Sequence, residues 1–357
     1  MMRSLLCRSL AVAALCACTN SERLTSPDVD GLQVLDAKGI ASASYTPTDL
    51  GTYPGDTEAF AWAVNDAGSV VVMSRLYPST GGIIAHWYMR TGSIVSNLDS
   101  GVINGISGGA TTYVAGAIST AVRWTYSTST GFSAPTALPQ INGPSESGLA
   151  VNDLGDVAGG SDGQAAIWLA NGTNIGVTNP NTALYLQSQA RDINNSTDAA
   201  ISFLGTTGNP DRGYARMADG AMIELPPLSA QRSTYADGVS ERIAGRVYVA
   251  GTSDDDNGKY NAVRWTIDVA THAIIETAVV PALSYSKAMA GDGTLAGIQA
   301  GSNSAPFVWK VGGAVSILKT PKGSTGGRVW EISGNGHYVV GDAKFGSYRR
   351  AILWTAQ

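Results

Sequence analysis

Cysteine is almost absent from this chain of 357 residues, and its three copies all lie before residue 19. Residues 19–357 therefore cannot form a disulfide framework or use a thiol in catalysis. Histidine is equally scarce. Its three copies, His86, His272 and His337, are far apart and show none of the spacings that hold zinc. No histidine or cysteine metal centre is predicted.

Charged side chains are also few, at 14% of the chain, and the formal net charge is −5. A mildly acidic surface argues against nucleic acid as a partner and against electrostatic docking to anionic lipid. Beyond the first 17 residues no segment is apolar enough to cross a membrane as a helix. The sequence therefore predicts a secreted protein rich in turns, with 43 glycines.

A short turn motif recurs along the chain about every 45 residues. Its clearest copy is Ala150-Val-Asn-Asp-Leu-Gly155, and Ala63-Val-Asn-Asp-Ala-Gly68 repeats it. Asn, Asp and Gly between hydrophobic stretches are typical of tight hairpins, because these residues tolerate the positive φ that such turns require. Aligned at the turn, the anchor positions of seven copies are Asn65, Ser107, Asn152, Asn194, Ser240, Ala290 and Ser333.

A tryptophan occupies the second half of most copies, at Trp87, Trp124, Trp168, Trp265, Trp309 and Trp354. In the fourth copy we predict that Met217 takes this position. A large aromatic ring at a fixed repeat position indicates packing between neighbouring units. Trp62 and Trp330 lie outside this pattern and are not explained by it.

Each copy has room for four short strands, named a to d here, which is the size of one β-propeller blade. A single four-stranded sheet cannot cover its own apolar faces, so the blades must stack around an axis. We predict an all-β protein with seven blades. The last copy ends at Gln357 after its third strand, and residues 45–51 precede the first full copy. We therefore expect residues 45–51 to pair into the last blade and close the ring.

The first 17 residues have the features of a secretory signal peptide. Arg3 and Arg8 precede a short apolar stretch that ends in small residues. Leu15-Cys-Ala-Cys18 resembles the bacterial lipoprotein box, which implies cleavage before Cys18, its lipidation, and sorting to the outer membrane or cell surface. Ordinary cleavage without a lipid is the alternative. Residues 18–44 then form the lipidated Cys and a flexible tether, followed by a single propeller domain at residues 45–357.

The repeat resembles the HAF family of probable extracellular repeats. The turn motifs at residues 63–68 and 150–155, the Ala residues three positions before several tryptophans, and Thr48-Asp-Leu-Gly51 carry the resemblance. It implies a secreted bacterial repeat protein and transfers no catalytic residue. The His-Ala-Phe triplet of the family is replaced, for example by Ile84-Ala-His-Trp87. These departures leave six or eight blades as alternatives to seven.

In a propeller the b–c loops and the d–a connections share one face, called the loop face here. Loops on a rigid scaffold are the usual place for binding. We therefore expect any ligand-binding residues among the polar and aromatic side chains of these loops, namely Tyr77, Asp211, Arg212, Tyr260, Phe345, Tyr348 and Arg349.

The densest acidic cluster, Asp254-Asp-Asp-Asn-Gly258, is a weak candidate for calcium, because Ca²⁺ requires several oxygen ligands. It lacks the full calcium-loop spacing, and a solvated turn is the favoured interpretation.

No catalytic motif is recognisable, and we predict no cofactor. Our first hypothesis is a non-catalytic, lipid-anchored scaffold, expected to be a monomer, that binds an unidentified protein or glycan through its loop face. The alternative is a carbohydrate-active hydrolase or lyase with a site in the central funnel. Such an enzyme should place at least two carboxylates, or a His–Tyr or Arg cluster, at one mouth of the axis.

Overall fold

The computed structural model describes residues 44–78, 82–141, 143, 146–280, 284–301 and 304–357. The predicted signal peptide, Cys18 and all of the tether except Ser44 lie outside the described residues. The described part consists of seven antiparallel sheets, so the prediction of an all-β, seven-bladed propeller is confirmed. In this part no helix is long and apolar enough to cross a membrane.

The strands follow the predicted order a to d in every blade. Blade 1 contains β2 (Glu58–Val64), β3 (Ser69–Leu76), β4 (Ile84–Thr91) and β5 (Ile94–Leu98). Blade 2 contains β6 (Val102–Ile106), β7 (Thr112–Ala117), β8 (Ala121–Ser127), β9 (Gly131–Phe132) and β10 (Thr136–Ala137). Blade 3 contains β11 (Glu146–Val151), β12 (Val157–Ser161), β13 (Gln164–Trp168) and β14 (Asn174–Gly176). Blade 4 contains β15 (Tyr185–Ile193), β16 (Ala199–Gly205), β17 (Arg212–Arg216) and β18 (Met222–Glu224).

The last three blades repeat the same plan. Blade 5 contains β19 (Thr234–Val239), β20 (Arg246–Asp254), β21 (Tyr260–Asp268) and β22 (Ile274–Val279). Blade 6 contains β23 (Ser284–Met289), β24 (Leu295–Gln299), β25 (Ala305–Trp309) and β26 (Val315–Ile317). Blade 7 contains β27 (Gly327–Ile332), β28 (Tyr338–Phe345), β29 (Tyr348–Ala356) and, from the other end of the described chain, β1 (Tyr45–Gly51).

The first strand closes the ring as expected. β1 runs antiparallel to β29, from the pair Tyr45–Ala356 to the pair Gly51–Ala351. The Tyr45 hydroxyl also donates a 2.7 Å hydrogen bond to the backbone carbonyl of Gly336, in the a–b turn of blade 7. Because β1 takes the place of strand d, β29 is covered from Ala351 to Ala356 instead of presenting an open edge there.

The a–b turns explain why the Asn-Asp motif repeats. In blade 3 the Asn152 Oδ1 accepts hydrogen bonds from the backbone N–H groups of Leu154 and Asp156, which holds the turn. Gly155 has φ +85, a conformation that glycine adopts without strain. In blade 4 the corresponding residue is Thr197, at φ +65. A β-branched side chain is strained in this left-handed region.

The recurring tryptophans pack between blades, as predicted. Trp124, Trp168, Trp265 and Trp354 are among the largest fully or almost fully buried side chains. The Trp168 indole N–H donates a 2.7 Å hydrogen bond to the carbonyl of Pro139, in the segment that leaves blade 2. Trp87 is the exception, since it is only partly buried. The ring is therefore held by apolar clusters that each span two adjacent blades.

The prediction that Met217 takes the tryptophan position of blade 4 is wrong by one residue. Trp168 pairs with Val157, five residues after the turn anchor Asn152. The residue five positions after the anchor Asn194 is Ala199, and its partner across the sheet is Arg216. Arg216 therefore occupies the slot, while Met217 is buried beside it.

Candidate functional site

The two faces of the ring are built differently. The a–b turns on one face are short and are tied to one another across blades. The Asn194 side-chain amide donates to the Ser240 carbonyl, for example, and the Gly291 N–H donates to the Gly334 carbonyl. The loop face carries b–c connections of varied length, from residues 162–163 to residues 206–211, and the longer d–a connections, such as residues 177–184 and 225–233. The position of the b–c loops matches the expectation from the repeat.

Blades 4, 5 and 6 bring three tyrosines and two aspartates together on the loop face. This group, called the Tyr–Asp cluster here, consists of Asp211, Tyr235, Asp254, Tyr260 and Tyr285. The Tyr235 hydroxyl donates to Asp211 Oδ2. Asp254 and Tyr260 are direct partners across β20 and β21. The Tyr260 and Tyr285 rings pack with centroids 5.0 Å apart and an interplanar angle of 34°.

Only two members of the cluster, Asp211 and Tyr260, are among the predicted binding residues. Asp254 appeared only as a calcium candidate, and Tyr235 and Tyr285 were missed. A signal for the two missed tyrosines exists in the repeat, because both lie five residues before their turn anchors, Ser240 and Ala290. The other copies have Phe60, Val102, Ser147, Gln189 and Arg328 at that position, so it is aromatic in three of the seven copies.

Burial and the repulsion between like charges raise the pKa values of side chains in the cluster. Burial is the main cause that raises the pKa of Asp254 to about 6; the nearby Asp211 adds to it, and Arg232 opposes it. The pKa of Tyr260 is raised by burial and by the charges of Asp254 and Asp211. The pKa of Tyr285 is raised for the same kind of reason. The tyrosines therefore remain neutral hydroxyls at ordinary pH.

The three acidic residues of the calcium candidate make contacts with different parts of the structure. Asp255 Oδ1 accepts the backbone N–H groups of Asn257 and Lys259 within its own turn. Asp256 accepts from the Ser229 hydroxyl, whereas Asp254 lies in the Tyr–Asp cluster. Across the described ranges no three His, Cys, Asp or Glu side chains are grouped as metal ligands. Asp254, Asp255 and Asp256 therefore do not converge on one calcium ion.

Arg212 has a structural position. Its guanidinium donates to the carbonyl of Arg232 at 2.7 Å and pairs with Glu224 at 3.1 Å. These contacts tie β17 to the segment that enters blade 5. Arg212 therefore holds together the segments on either side of Asp211 and is not a member of the Tyr–Asp cluster.

The remaining predicted residues lie on blades 1 and 7. Tyr77 is 44% exposed, and its hydroxyl bonds Glu58. Tyr348 follows the tight turn after β28 and is 53% exposed. Phe345 lies beneath the guanidinium of Arg350, at 4.8 Å. Arg349 bonds the buried Asp342, so it holds the blade together.

Exposed apolar side chains add to the loop face. Leu184, Leu186 and Leu204 of blade 4 are exposed next to the loop that carries Asp211, and Leu186 reaches 65%. The backbone N–H of Gly205, beside Leu204, donates to Asp211 Oδ1. Exposed apolar groups beside convergent polar groups are typical of interaction surfaces.

A bulge occurs at the same place in every inner strand, three residues before the turn anchor. The bulge residues are Trp62, Asn104, Leu149, Arg191, Asp237, Lys287 and Trp330. A β-bulge changes the direction in which a side chain points. Because the bulges lie on the innermost strands, the seven bulge residues form a ring around the axis. Trp62 and Trp330, left unexplained by the sequence pattern, stack across the closure of the ring with centroids 5.0 Å apart.

The axial channel opens among the a–b turns as a cavity of about 270 Å³. Asp192 and Glu331 line it. Burial is the main cause that raises the pKa of Asp192 to about 6 and that of Glu331 to about 8, and the charge of Asp192 adds to the second shift. Both oxygens of Asp192 accept backbone N–H groups, and Glu331 Oε1 accepts the N–H of Ile332. These two carboxylates are therefore already engaged by the backbone.

No known family model matches the chain, and no curated protein matches it in sequence. Solved propellers resemble it in fold. The β-propeller domain of the Trilobed protease from Pyrococcus furiosus has a TM-score of 0.54 at 10% identity, over 84% of this chain and 94% of that one. That domain is described as having an open velcro topology, whereas here β1 pairs with β29.

Two further solved structures show the same architecture. The acylaminoacyl peptidase from Pyrococcus horikoshii has a TM-score of 0.54 at 11% identity, over 86% of this chain and 52% of that one. YCF48 bound to D1 peptide has a TM-score of 0.50 at 11% identity, over 90% of this chain and 98% of that one. At these identities the likeness establishes the fold alone.

Proposed function

We propose that the protein is a non-catalytic scaffold of the bacterial cell envelope, of the HAF repeat type, that binds a protein or glycan through its loop face. The signal-like residues 1–17 and the lipobox-like segment ending at Cys18 support export and lipid anchoring at the outer membrane or cell surface. The closed ring supports a monomer, because β1 covers the strand edge that could otherwise pair with another copy.

The asymmetry of the two faces is the observation that carries the binding proposal. Exposed leucines and the Tyr–Asp cluster lie on the loop face, which also carries the long d–a connections. The opposite face consists of short turns whose polar groups bond neighbouring turns. Free polar and aromatic groups on a rigid support favour ligand recognition.

The anchor is tested by replacing Cys18. The unaltered chain should pellet with membranes and incorporate an alkyne-tagged fatty acid, whereas Cys18→Ser should lose the label. A chain that carries no label while its signal is removed would show ordinary cleavage and refute the lipid anchor.

The binding face is tested in living cells with a benzophenone amino acid. Placed at Tyr348 on the loop face or at Tyr260 in the cluster, the probe should form covalent adducts. The matched control is Leu154, which is exposed in the a–b turn of blade 3. Adducts that form from Leu154 and not from the loop-face positions would overturn the assignment of the face.

The second candidate is a carbohydrate-active hydrolase or lyase. The observation in its favour is the pair Asp192 and Glu331, two carboxylates that interact in the axial channel and have raised pKa values. Asp192→Asn and Glu331→Gln would abolish cleavage of a polysaccharide by such an enzyme. Cleavage that both variants retain would exclude this pair as the catalytic site, and the absence of any cleavage leaves the scaffold as the function.

A further inference from the structure

We propose that the Tyr–Asp cluster is a subsite for one pyranose residue of a neutral glycan. This inference rests on the proposed function, in which the loop face binds, and it names the ligand class for one place on that face.

The two packed tyrosines supply a platform. Tyr260 and Tyr285 come from adjacent blades and pack on each other, with their ring centroids 5.0 Å apart and their planes at 34°. Both rings are half-buried, so their orientation is held by the surrounding blades. A pyranose has a face of C–H groups that packs on such a surface, and a rigid tyrosine loses little conformational entropy on contact.

The carboxylates supply acceptors for sugar hydroxyls. Asp254 Oδ1 is buried and has no hydrogen-bond partner among the described residues. Leaving a buried acceptor without a donor costs about 1–3 kcal/mol, so such an atom is rare without a reason. Tyr260 stands directly across the strand pair from Asp254. In this proposal, a hydroxyl of a pyranose packed on Tyr260 donates to this oxygen.

The Tyr235–Asp211 pair extends the polar edge. The Tyr235 hydroxyl donates its only hydrogen to Asp211 Oδ2. Its oxygen keeps acceptor capacity, so it is able to receive a second sugar hydroxyl. Paired acceptors beside an aromatic surface match the alternating polar edge and apolar face of a pyranose.

Charge excludes acidic sugars. Asp211, Asp254, Asp255 and Asp256 lie near one another with Lys259 in the same loop as Asp255, and the charge of Arg232 acts on Asp254, so acidic side chains outnumber basic ones here. The negative charges of these side chains would repel the carboxylate or sulfate of an acidic glycan. A bound cation is also disfavoured, because Tyr260 and Tyr285 pack on each other at 34° and do not stand around a cavity as cage walls do.

The test uses the full chain, purified in detergent, with a defined panel of probes. The neutral probes are maltohexaose, cellohexaose and chitohexaose. The competing classes are represented by hexagalacturonate, an acidic oligosaccharide, and tetramethylammonium, a cation. Binding is measured by titration calorimetry and by NMR of chains carrying ¹³C-labelled tyrosine. We expect at least one neutral hexasaccharide to bind and to shift the ring resonances of Tyr260 and Tyr285.

Variants then locate the contact. Tyr260→Ala and Tyr285→Ala should weaken the neutral sugar at least about 10-fold, whereas Tyr260→Phe, which keeps the ring, should stay within about 3-fold. Asp254→Ala should also weaken binding. The control is Leu154→Ala, which removes an exposed side chain from the a–b turn of blade 3 on the opposite face and should leave the affinity unchanged. Thermal melts show whether each variant is folded, and the ring resonances of the unaltered chain report on the contact without any substitution.

Three results would overturn the proposal: no neutral hexasaccharide binds, only hexagalacturonate or tetramethylammonium binds, or a neutral sugar binds without shifting the cluster resonances. If the loop-face benzophenone probes still form adducts in those cases, the scaffold function stands and only the glycan subsite fails. If the probes form none and the sugars do not bind, both fail.

Discussion

The side-chain amide of Asn152 donates a 2.9 Å hydrogen bond to the backbone carbonyl of Asn194, the equivalent residue of the next blade. The same amide donates to Asp156 within its own turn, also at 2.9 Å. One side chain thus shapes a hairpin with its oxygen and joins two blades with its nitrogen. The repeat preserves Asn at this position in three copies, and Asn194 makes the same kind of contact with Ser240.

Asn152→Ala should lower the free energy of unfolding by about 2–3 kcal/mol. The change removes several buried hydrogen bonds and leaves the turn amides and the Asn194 carbonyl without their partner. Urea unfolding gives the measurement. The control is Asn171→Ala, which removes an exposed turn bond from Thr173 and no contact between blades. Equal losses from the two variants would contradict the role of Asn152 in joining blades.

Deleting residues 45–51 should lower the melting temperature and promote oligomers. The deletion uncovers β29, whose backbone groups are then free to pair with another chain. Melting curves and sedimentation check both effects. A synthetic peptide of residues 44–52, added in excess, should restore part of the lost melting temperature. A deleted chain that melts like the original and stays monomeric would refute the importance of the closure.

Glu331→Gln should remove part of the pH dependence of stability. Burial raises the pKa of Glu331 from 4.5 to about 8, so the folded state holds this proton more tightly than the unfolded chain does. The stability from the protonated group is therefore complete below pH 4.5 and is lost as the pH rises toward 8. Above pH 8 we expect Glu331→Gln to unfold at a higher urea concentration than the original chain.

Measurements at pH 5 and pH 9 bracket that window. The stability difference between the variant and the original chain should grow by about 1 kcal/mol or more across it. Asp192, whose pKa is raised to about 6, contributes in the same direction between pH 4 and pH 6 and remains in both proteins. The control is Glu276→Gln on β22, an exposed position. A parallel pH response of all three proteins would count against a buried Glu331.

Thr197→Gly should stabilise the protein by about 1 kcal/mol. Thr197 holds φ +65 in the a–b turn of blade 4, where Gly68 and Gly155 occupy the matching place in blades 1 and 3. Relief of the strained backbone exceeds the entropy that glycine adds to the unfolded chain. The reciprocal change, Gly155→Thr, should destabilise. Calorimetry would contradict backbone strain at Thr197 if Thr197→Gly lowered the melting temperature and Gly155→Thr raised it.

The sequence by itself determined the blades, the turns and the closure. The Asn152 side chain holds its hairpin through backbone N–H groups no more than four residues away. A turn of this kind can therefore be recognised from a short stretch of sequence. The missing fourth strand after Trp354 likewise pointed to residues 45–51, because a blade with one open edge is incomplete. These features depend on hydrogen bonds between residues close in sequence or on the number of strands in each repeat. Both can be read from the sequence.

Only the tertiary structure decided which side chains meet. Tyr235 and Tyr285 are 50 residues apart, and the curvature of the ring places both beside Tyr260. The same curvature stacked Trp62 on Trp330 and turned Arg349 from a predicted binding residue into the partner of buried Asp342. Contacts of this kind depend on how adjacent blades rotate about the axis. That rotation is a sum over all the packed interfaces and is not a property of any one repeat.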